Sequence, residues 1–186
     1  MLDMLNYRTY LEKVVHDMKL NTCICCRNFS DKPYVIVPDN VEYDKEYVLN
    51  HKLDVIYSSH DGGVLVLFPN DIAFTWLTNK PILDDIMKDV LDYLKSINDK
   101  IVMDGNDIVL DGKKLFGTMS KKANICYEGM FFSFDNDIDM INTISKKEMK
   151  KIPQGLSTIG ITPDDVIKLI YKLIDKYKLN IYGGDK

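Results

Sequence analysis

Arginine is nearly missing from this chain: Arg8 and Arg27 are the only two in 186 residues, and every other basic side chain is a lysine. Guanidinium forks, which grip phosphate or carboxylate at two points, are therefore scarce. A basic excess is missing too. Twenty-four Lys+Arg stand against twenty-eight Asp+Glu, giving net −4, with lysines scattered among aspartates. That excludes the broad positive footprint of a nucleic-acid binder. No apolar run approaches the roughly 20 residues that cross a bilayer, so no membrane partner is expected. Asp3, Arg8, Glu12, Lys13 and Asp17 interrupt the apolar core that an export signal needs, which makes the cytoplasm the expected location. Paired metal-ligand spacing is also wanting. Cys23, Cys25 and Cys26 crowd one segment, Cys126 stands alone, and His16, His51 and His60 sit singly. Zinc sites draw on two separated Cys/His pairs, so these cysteines read as reduced thiols, mostly buried in strands.

What is present fits an ordinary globular chain, 46% hydrophobic and 28% charged, long enough for one domain with a full core. Leu2, Leu5, Leu11, Val14, Val15 and Met18 recur near helical spacing, predicting an amphipathic helix that ends before Asn21. A strand through Cys23 and Ile24, another over 33–38 between two prolines, a short helix over 43–50 and a strand over 53–57 should follow. Strands over 64–68 and 72–77 precede a helix announced by Thr78 or Asn79 as cap, Pro81, the acidic Asp84 and Asp85, and a stripe of Ile82, Ile86, Val90, Leu94 and Ile97. Short strands over 101–103, 107–110, 114–119 and 129–134 come next, then a polar stretch, Asp135 to Lys151, with a short helix and a loop. Thr162, Pro163 and Asp165 mark the start of the last helix. Helices interleaved with hairpin-connected strands predict a single-domain α+β fold, helices packed on a mixed, largely antiparallel β-sheet.

Lys114 is the residue that most needs a reason. The run Asp107-Ile-Val-Leu-Asp-Gly-Lys-Lys-Leu-Phe-Gly117 places it just after an Asp-Gly turn between two apolar segments. Gly117 lets a ligand or a second backbone come close. A solvated hairpin tip in a lysine-rich protein has the same composition. Two other glycine-bearing runs supply the context: Ser58-Ser-His-Asp-Gly-Gly63 leading into Val64-Leu-Val-Leu67, and Pro153-Gln-Gly-Leu-Ser157.

In their order along the chain, these runs resemble the catalytic domain of the biotin/lipoate protein ligase family, which includes lipoate-protein ligases, octanoyltransferases and biotin ligases. The resemblance spans about 33–162. Asp61-Gly-Gly63 with the strand after it is similar to the family's Arg-x-x-Gly-Gly-Gly loop, and Pro69-Asn-Asp-Ile72 to the turn beyond. Asn106-Asp107-Ile-Val with Gly112-Lys-Lys-Leu-Phe-Gly117 resembles its Asn-Asp-Ile and Gly-x-Lys-Ile-x-Gly, the most specific piece. Gly129-Met-Phe-Phe132 resembles Gly-Thr-Leu-Leu, and Gly155-Leu-Ser157 the late Gly-x-Ser turn. The resemblance implies an enzyme that activates a carboxylic acid such as lipoate, octanoate or biotin with ATP and Mg²⁺. The acyl group then passes to a lysine of an acceptor protein domain. Lys114 would stabilise charge on the acyl carbonyl and phosphate. Asn106 and Asp107 would assist phosphate, with Asp107 near Mg²⁺. Asp61, Gly62, Gly63, Val64, Phe116, Gly117 and Gly129 would line the acyl site, with Val66 adding apolar wall.

The chain departs from that pattern at one place above all. Ser58, Ser59 and His60 occupy the loop positions where the family carries arginine. A binding module that keeps the fold without the chemistry is therefore the alternative. Octanoyltransferases work without ATP through a cysteine shortly before the matching glycine, and Cys126 lies three residues before Gly129, one position short of that spacing. A buried strand thiol between Ile125 and Tyr127 explains Cys126 equally well. His60 reads as a general base or as a loop residue, and Asp61 as a contact or a turn former. No accessory C-terminal domain follows the last helix, so an accessory subunit is a further expected partner.

Overall fold

The computed structural model describes residues 1–17, 19–58, 63–122, 125–146 and 151–183. Twelve strands and five α-helices follow in order: β1 (Leu2–Asp3), α1 (Tyr7–His16), β2 (Thr22–Arg27), β3 (Tyr34–Pro38), α2 (Lys45–Asn50), β4 (Asp54–Ser58), β5 (Leu65–Leu67), β6 (Ile72–Thr78), α3 (Leu83–Ile97), β7 (Val102–Asp104), β8 (Asp107–Leu110), β9 (Lys113–Lys114), β10 (Phe116–Lys122), β11 (Cys126–Phe132), α4 (Ile138–Ser145), α5 (Pro163–Tyr177) and β12 (Asn180–Ile181). Short 3-10 turns cover Met4–Asn6 and Leu156–Ile159. The α+β class expected from the pattern is what the chain forms. Its strands, however, divide into three sheets.

The main sheet runs β1-β2-β6-β11-β10, and β12 joins it beside β2. Neighbours are antiparallel from β2 to β10, while β1 and β12 lie parallel to β2 along one edge, one after the other. β6 and β11 bury all seven of their residues because both faces are covered. On one face Phe74, Trp76, Met130 and Phe132 meet the apolar stripes of α3 and α5. On the other, Ile24, Leu77 and Phe131 meet Tyr7 and Val14 of α1 and the inward residues Ile36 and Leu67 of the second sheet. That second sheet, β4-β3-β5, pairs β3 with β4 in parallel and with β5 antiparallel. Its far face carries Val35, Val37 and Val66 against Val48 of α2 and Ile141 and Ile144 of α4. The layers are thus α3/α5, main sheet, second sheet, α2/α4.

The third sheet, β7-β8-β9, is a meander whose second hairpin carries Lys114. Asp111 (φ 49°) and Gly112 (φ 76°) both adopt the left-handed region, as the two central residues of a type I′ turn must, so the Asp-Gly signal was read correctly. α5 also starts as the sequence predicts. Thr162 Oγ1 accepts from Asp165 N, and the Asp165 carboxylate accepts from Thr162 N, closing a capping box with Pro163 at the first turn.

The start of α3 differs from expectation. Neither Thr78 nor Asn79 caps it; Ile82 holds the cap position and makes no side-chain capping bond. The acceptor comes from β11 instead. Glu128 Oε2, fully buried, accepts from Ile82 N at 2.8 Å, Leu83 N at 3.1 Å and Trp76 Nε1 at 3.1 Å. A carboxylate at a helix N-terminus meets both the orphan N–H groups and the positive end of the dipole. Thr78 Oγ1 meanwhile donates to Lys80 O, outside the helix.

Cys23 and Cys25 project from one face of β2 and Cys26 from the other, so the three sulfurs cannot converge on one metal. All four cysteines are free and buried, and burial pushes the Cys23 and Cys25 thiols up to about 12.

Candidate functional site

Lys114 is fixed from both sides by backbone. It pairs with Val109 in β8, its N–H donates to Ile152 O at 3.0 Å, and its carbonyl accepts from Gln154 N at 2.7 Å. The second partner, the 152–154 segment, depends on Gly155: a Cβ there would collide with the Phe134 carbonyl. Leu156 N donates to Ser133 O at 2.9 Å and Ser157 Oγ to Phe134 O, pinning the turn to the end of β11. The late Gly-x-Ser run therefore positions the backbone that holds Lys114.

The Lys114 ammonium lies 2.5 Å from Asp107 Oδ1. Lys151 Nζ sits 3.2 Å from Asp107 Oδ2, 2.9 Å from Asp104 Oδ2 and 2.7 Å from the Asp104 carbonyl. One carboxylate thus bridges two ammonium groups. Partial burial pushes the Asp107 carboxyl up, but Lys114 and Lys151 outweigh it and hold it below the usual carboxylate range. Lys151 is raised in turn by its hydrogen bond to Asp104, with Asp107 adding to it.

Both lysines border a cavity of about 180 Å³ whose walls include Val64, Val66, Phe116, Phe131 and Ile141. Lysines and apolar side chains on the walls of one slot suit an amphipathic anion. At this volume, below the roughly 300 Å³ typical of ligand pockets, the slot is narrow. Ser133 and Asn136 supply polar wall. Ser133 Oγ donates 2.7 Å to Asp71 Oδ2, which also accepts from Phe68 N at 2.8 Å, while Asp71 Oδ1 accepts from Phe134 N at 3.0 Å. Burial pushes the Asp71 carboxyl up to about 7, against the hydrogen bonds that favour its charge.

The predicted site residues divide. Lys114, Val64, Val66, Phe116 and Gly117 share the cavity, and Asp107 lies against Lys114. Asp61, Gly62, Ser59 and His60 fall outside the described residues, and Gly63 is exposed at the foot of that loop. Three residues lie elsewhere. Asn106, at the tip of the β7–β8 hairpin, borders a different cleft, on the α3 side of the main sheet. Gly129 packs inside the main sheet, where a Cβ would stand 2.6 Å from Thr75 Cγ2; its small size serves strand packing and not a ligand. Cys126 pairs with Lys122, six positions along the β10–β11 ladder from the Phe116–Phe132 pair, which puts it about 20 Å from that end. It is buried and does not border the Lys114 cavity. Neither arginine is there either: Arg8 pairs with Glu12 at 2.6 Å, and Arg27 donates to Asn70 at 2.6 Å and lies over the Phe29 ring.

Sequence reading missed Lys151, Ser133 and Asp71. Lys151 ends a polar stretch with no periodic signal. Asp71 had one available, an acidic residue just ahead of the largely apolar run of β6, where it had to be buried and bonded.

No protein-family model and no curated protein sequence matches the chain. Solved structures do. P. falciparum LipL1, in complex with lipoate, superposes with TM-score 0.77 at 14% identity over 98% of this chain and 63% of LipL1, so this chain spans less than two thirds of that protein. The chain has the lipoate-protein ligase fold. A bipartite lipoate protein ligase from Thermoplasma acidophilum, studied with its E2 lipoyl domain, gives TM-score 0.72 at 13% identity over 97% of this chain and 82% of its own. Lipoate-protein ligase A bound with ATP gives 0.73 at 13% over 98% and 87%. In this lipoate-ligase fold the Lys114 hairpin and the 152–154 clamp are built from residues the chain supplies itself. No helix among the described residues is long and apolar enough to cross a membrane.

Proposed function

We propose that the protein is an acyl ligase of the lipoate type, joining a lipoate-like carboxylic acid to a lysine of an acceptor domain. The observation that carries this reading is that Lys114 and Lys151, joined through Asp107, border the same small cavity as Val64, Val66 and Phe116. Its second support is the likeness of the fold to structures described as bound to lipoate and to ATP. The acid's tail would run along Val64, Val66 and Phe116, and its carboxyl group, or the phosphate that activates it, would meet Lys114 and Lys151. A cation held in place before the reaction stabilises charge as it develops on those oxygens without reorganising. The donor set also fits ATP with Mg²⁺. Asp107 and Asp104 offer the one or two carboxylates with which Mg²⁺ is usually held beside substrate phosphates. Asp107 would have to exchange a lysine for the metal.

The test combines ATP, Mg²⁺ and each of lipoate, octanoate and biotin with an E2 lipoyl domain, reading the acceptor by intact mass. Lipoate or octanoate transfer is expected, reduced at least about 100-fold in Lys114→Ala, on the scale of losing one group that stabilises a developing oxyanion. Unchanged transfer by Lys114→Ala would refute the assigned role.

One observation favours a second reading. With no arginine at the cavity among the described residues, the fold would then serve as a binding module. Thermal stabilisation by the free acid, with no transfer from any donor, would establish it.

A further inference from the structure

A second cleft, which this proposed reaction leaves unused, lies on the opposite side of the main sheet from the Lys114 slot. A cleft of about 470 Å³ opens between the first turns of α3, the β7–β8 hairpin and the outer face of β10 and β11. That volume falls within the range of small-ligand sites. At its floor are Ser120 and Glu128, directly opposite each other on antiparallel strands. Glu128 is fully buried, and its Oε2 is saturated by the three N–H donors of Trp76, Ile82 and Leu83. Its Oε1 is buried and has no hydrogen-bond partner among the described residues, and neither has Ser120 Oγ. A buried carboxylate oxygen left unpaired costs far more than an unpaired neutral acceptor, so it marks a place where a donor belongs. Thr118 and Asn106 add oxygen acceptors to the wall, while Leu83, Met87, Leu91 and Met103 make the rest apolar. Asp84 and Lys88 stand at the rim with opposite charges.

We infer that this cleft binds an aliphatic primary ammonium group, its N–H donors directed to Glu128 Oε1 and Ser120 Oγ and its carbon stem laid against the methionines and leucines. The charge complements a buried carboxylate that no cation pairs among the described residues. Two of its three N–H donors match the two unpaired acceptors on the floor, and the third can reach Thr118 or Asn106 on the wall. Flexible, polarisable methionine side chains adapt to a stem of variable shape. The ammonium is that of a free alkylamine or of a lysine side chain, and the two sources are separable by experiment.

Of the nine methionines, Met87 and Met103 border the cleft with their side chains, whereas Met119 turns its own to the other face of the sheet, which makes methyl-labelled methionine the reporter and Met119 an internal control. The intact protein is titrated with n-butylammonium, with N-acetyl-lysine methylamide, and with butyltrimethylammonium, which has the charge but no N–H. Shifts confined to the methyls of Met87 and Met103 are expected for both primary amines, with a Kd of about 1 mM, modest for so few atoms. The trimethyl analogue should bind at least tenfold more weakly. Equal binding of both amines assigns the site to the ammonium alone, and preference for the lysine derivative assigns it to a lysine side chain. Ser120→Ala should weaken binding several-fold without touching the α3 cap; Glu128→Gln should abolish it. Because Glu128→Gln also changes the cap, Ser120→Ala is the variant that decides. No shift at the methyls of Met87 and Met103, shifts spread over all nine, or equal binding of the trimethyl analogue would overturn the assignment and leave the floor to water.

Discussion

Replacing Asp71 with asparagine should change how stability depends on pH. The Asp71 carboxyl is pushed from 3.8 up to about 7, chiefly by burial, with Asp135 nearby adding to the rise. The folded protein therefore holds this proton more tightly than the unfolded chain. Whatever stability the neutral form contributes is fully present below pH 3.8 and is lost as pH rises towards 7. Each pH unit inside that window corresponds to about 1.4 kcal/mol, so between pH 5 and pH 8 the wild type should lose about 2–3 kcal/mol through this group. Asp71→Asn removes the titration. The amide oxygen can still accept from Phe134 N, and the Ser133 hydroxyl can turn to accept from the new amine, but Phe68 N loses its carboxylate acceptor. An orphaned buried donor costs about 1–3 kcal/mol at every pH. The variant should thus be the less stable protein at pH 5, with the gap closing by about 2–3 kcal/mol towards pH 8. Urea unfolding of both proteins at half-unit intervals, at fixed ionic strength and with matching m-values, measures the gap. A gap constant within error from pH 5 to 8 would refute the reasoning, since Asp71 would then be ionised throughout and held so by its three hydrogen bonds.

Three further outcomes are expected. Gly155→Ala should destabilise by about 1–3 kcal/mol, because its methyl displaces the Phe134 carbonyl, and should lower acyl transfer as well by loosening the clamp on Lys114; calorimetry and the mass assay check the two effects separately. Thr162→Ala should cost about 1 kcal/mol by opening the capping box at α5, read as a fall in urea midpoint at constant m. Cys126→Ser should leave acyl transfer unchanged, with no thioester on the wild type by intact mass, since the thiol is remote from the slot.

Local signals carried most of the secondary structure. Asp111-Gly112 and Thr162-Pro163-Asp165 each place their full chemistry within four residues, so turn and cap were legible as written. The helix over 83–97 was legible from its stripe, but its N-terminal cap was not, because the capping carboxylate comes from Glu128, 46 residues along the chain. The division into three sheets escaped for a similar reason. Alternation says that a strand has two faces, not which strand lies beside it, and the parallel pair of β12 with β2 joins opposite ends of the chain. Lys114, Val64, Phe116 and Gly117, which the motif order grouped, do border one cavity. Lys151 lies in a loop whose composition resembles any solvated segment. Gly129 was misassigned because a glycine required by a neighbouring threonine reads, in one dimension, like a glycine required by a ligand.

Under the proposed function, the shared carboxylate of Asp107 would make anion binding at Lys114 and Lys151 an exchange. An arriving anion does not meet two bare charges; it displaces one that the hairpin already supplies, and the net change in ion pairing is small. Chloride or acetate offers little that Asp107 does not, whereas a phosphate chain with charge to spare can engage both lysines at once. A site built this way screens weak anions by competition from within, and it should respond less to ionic strength than its two lysines would suggest.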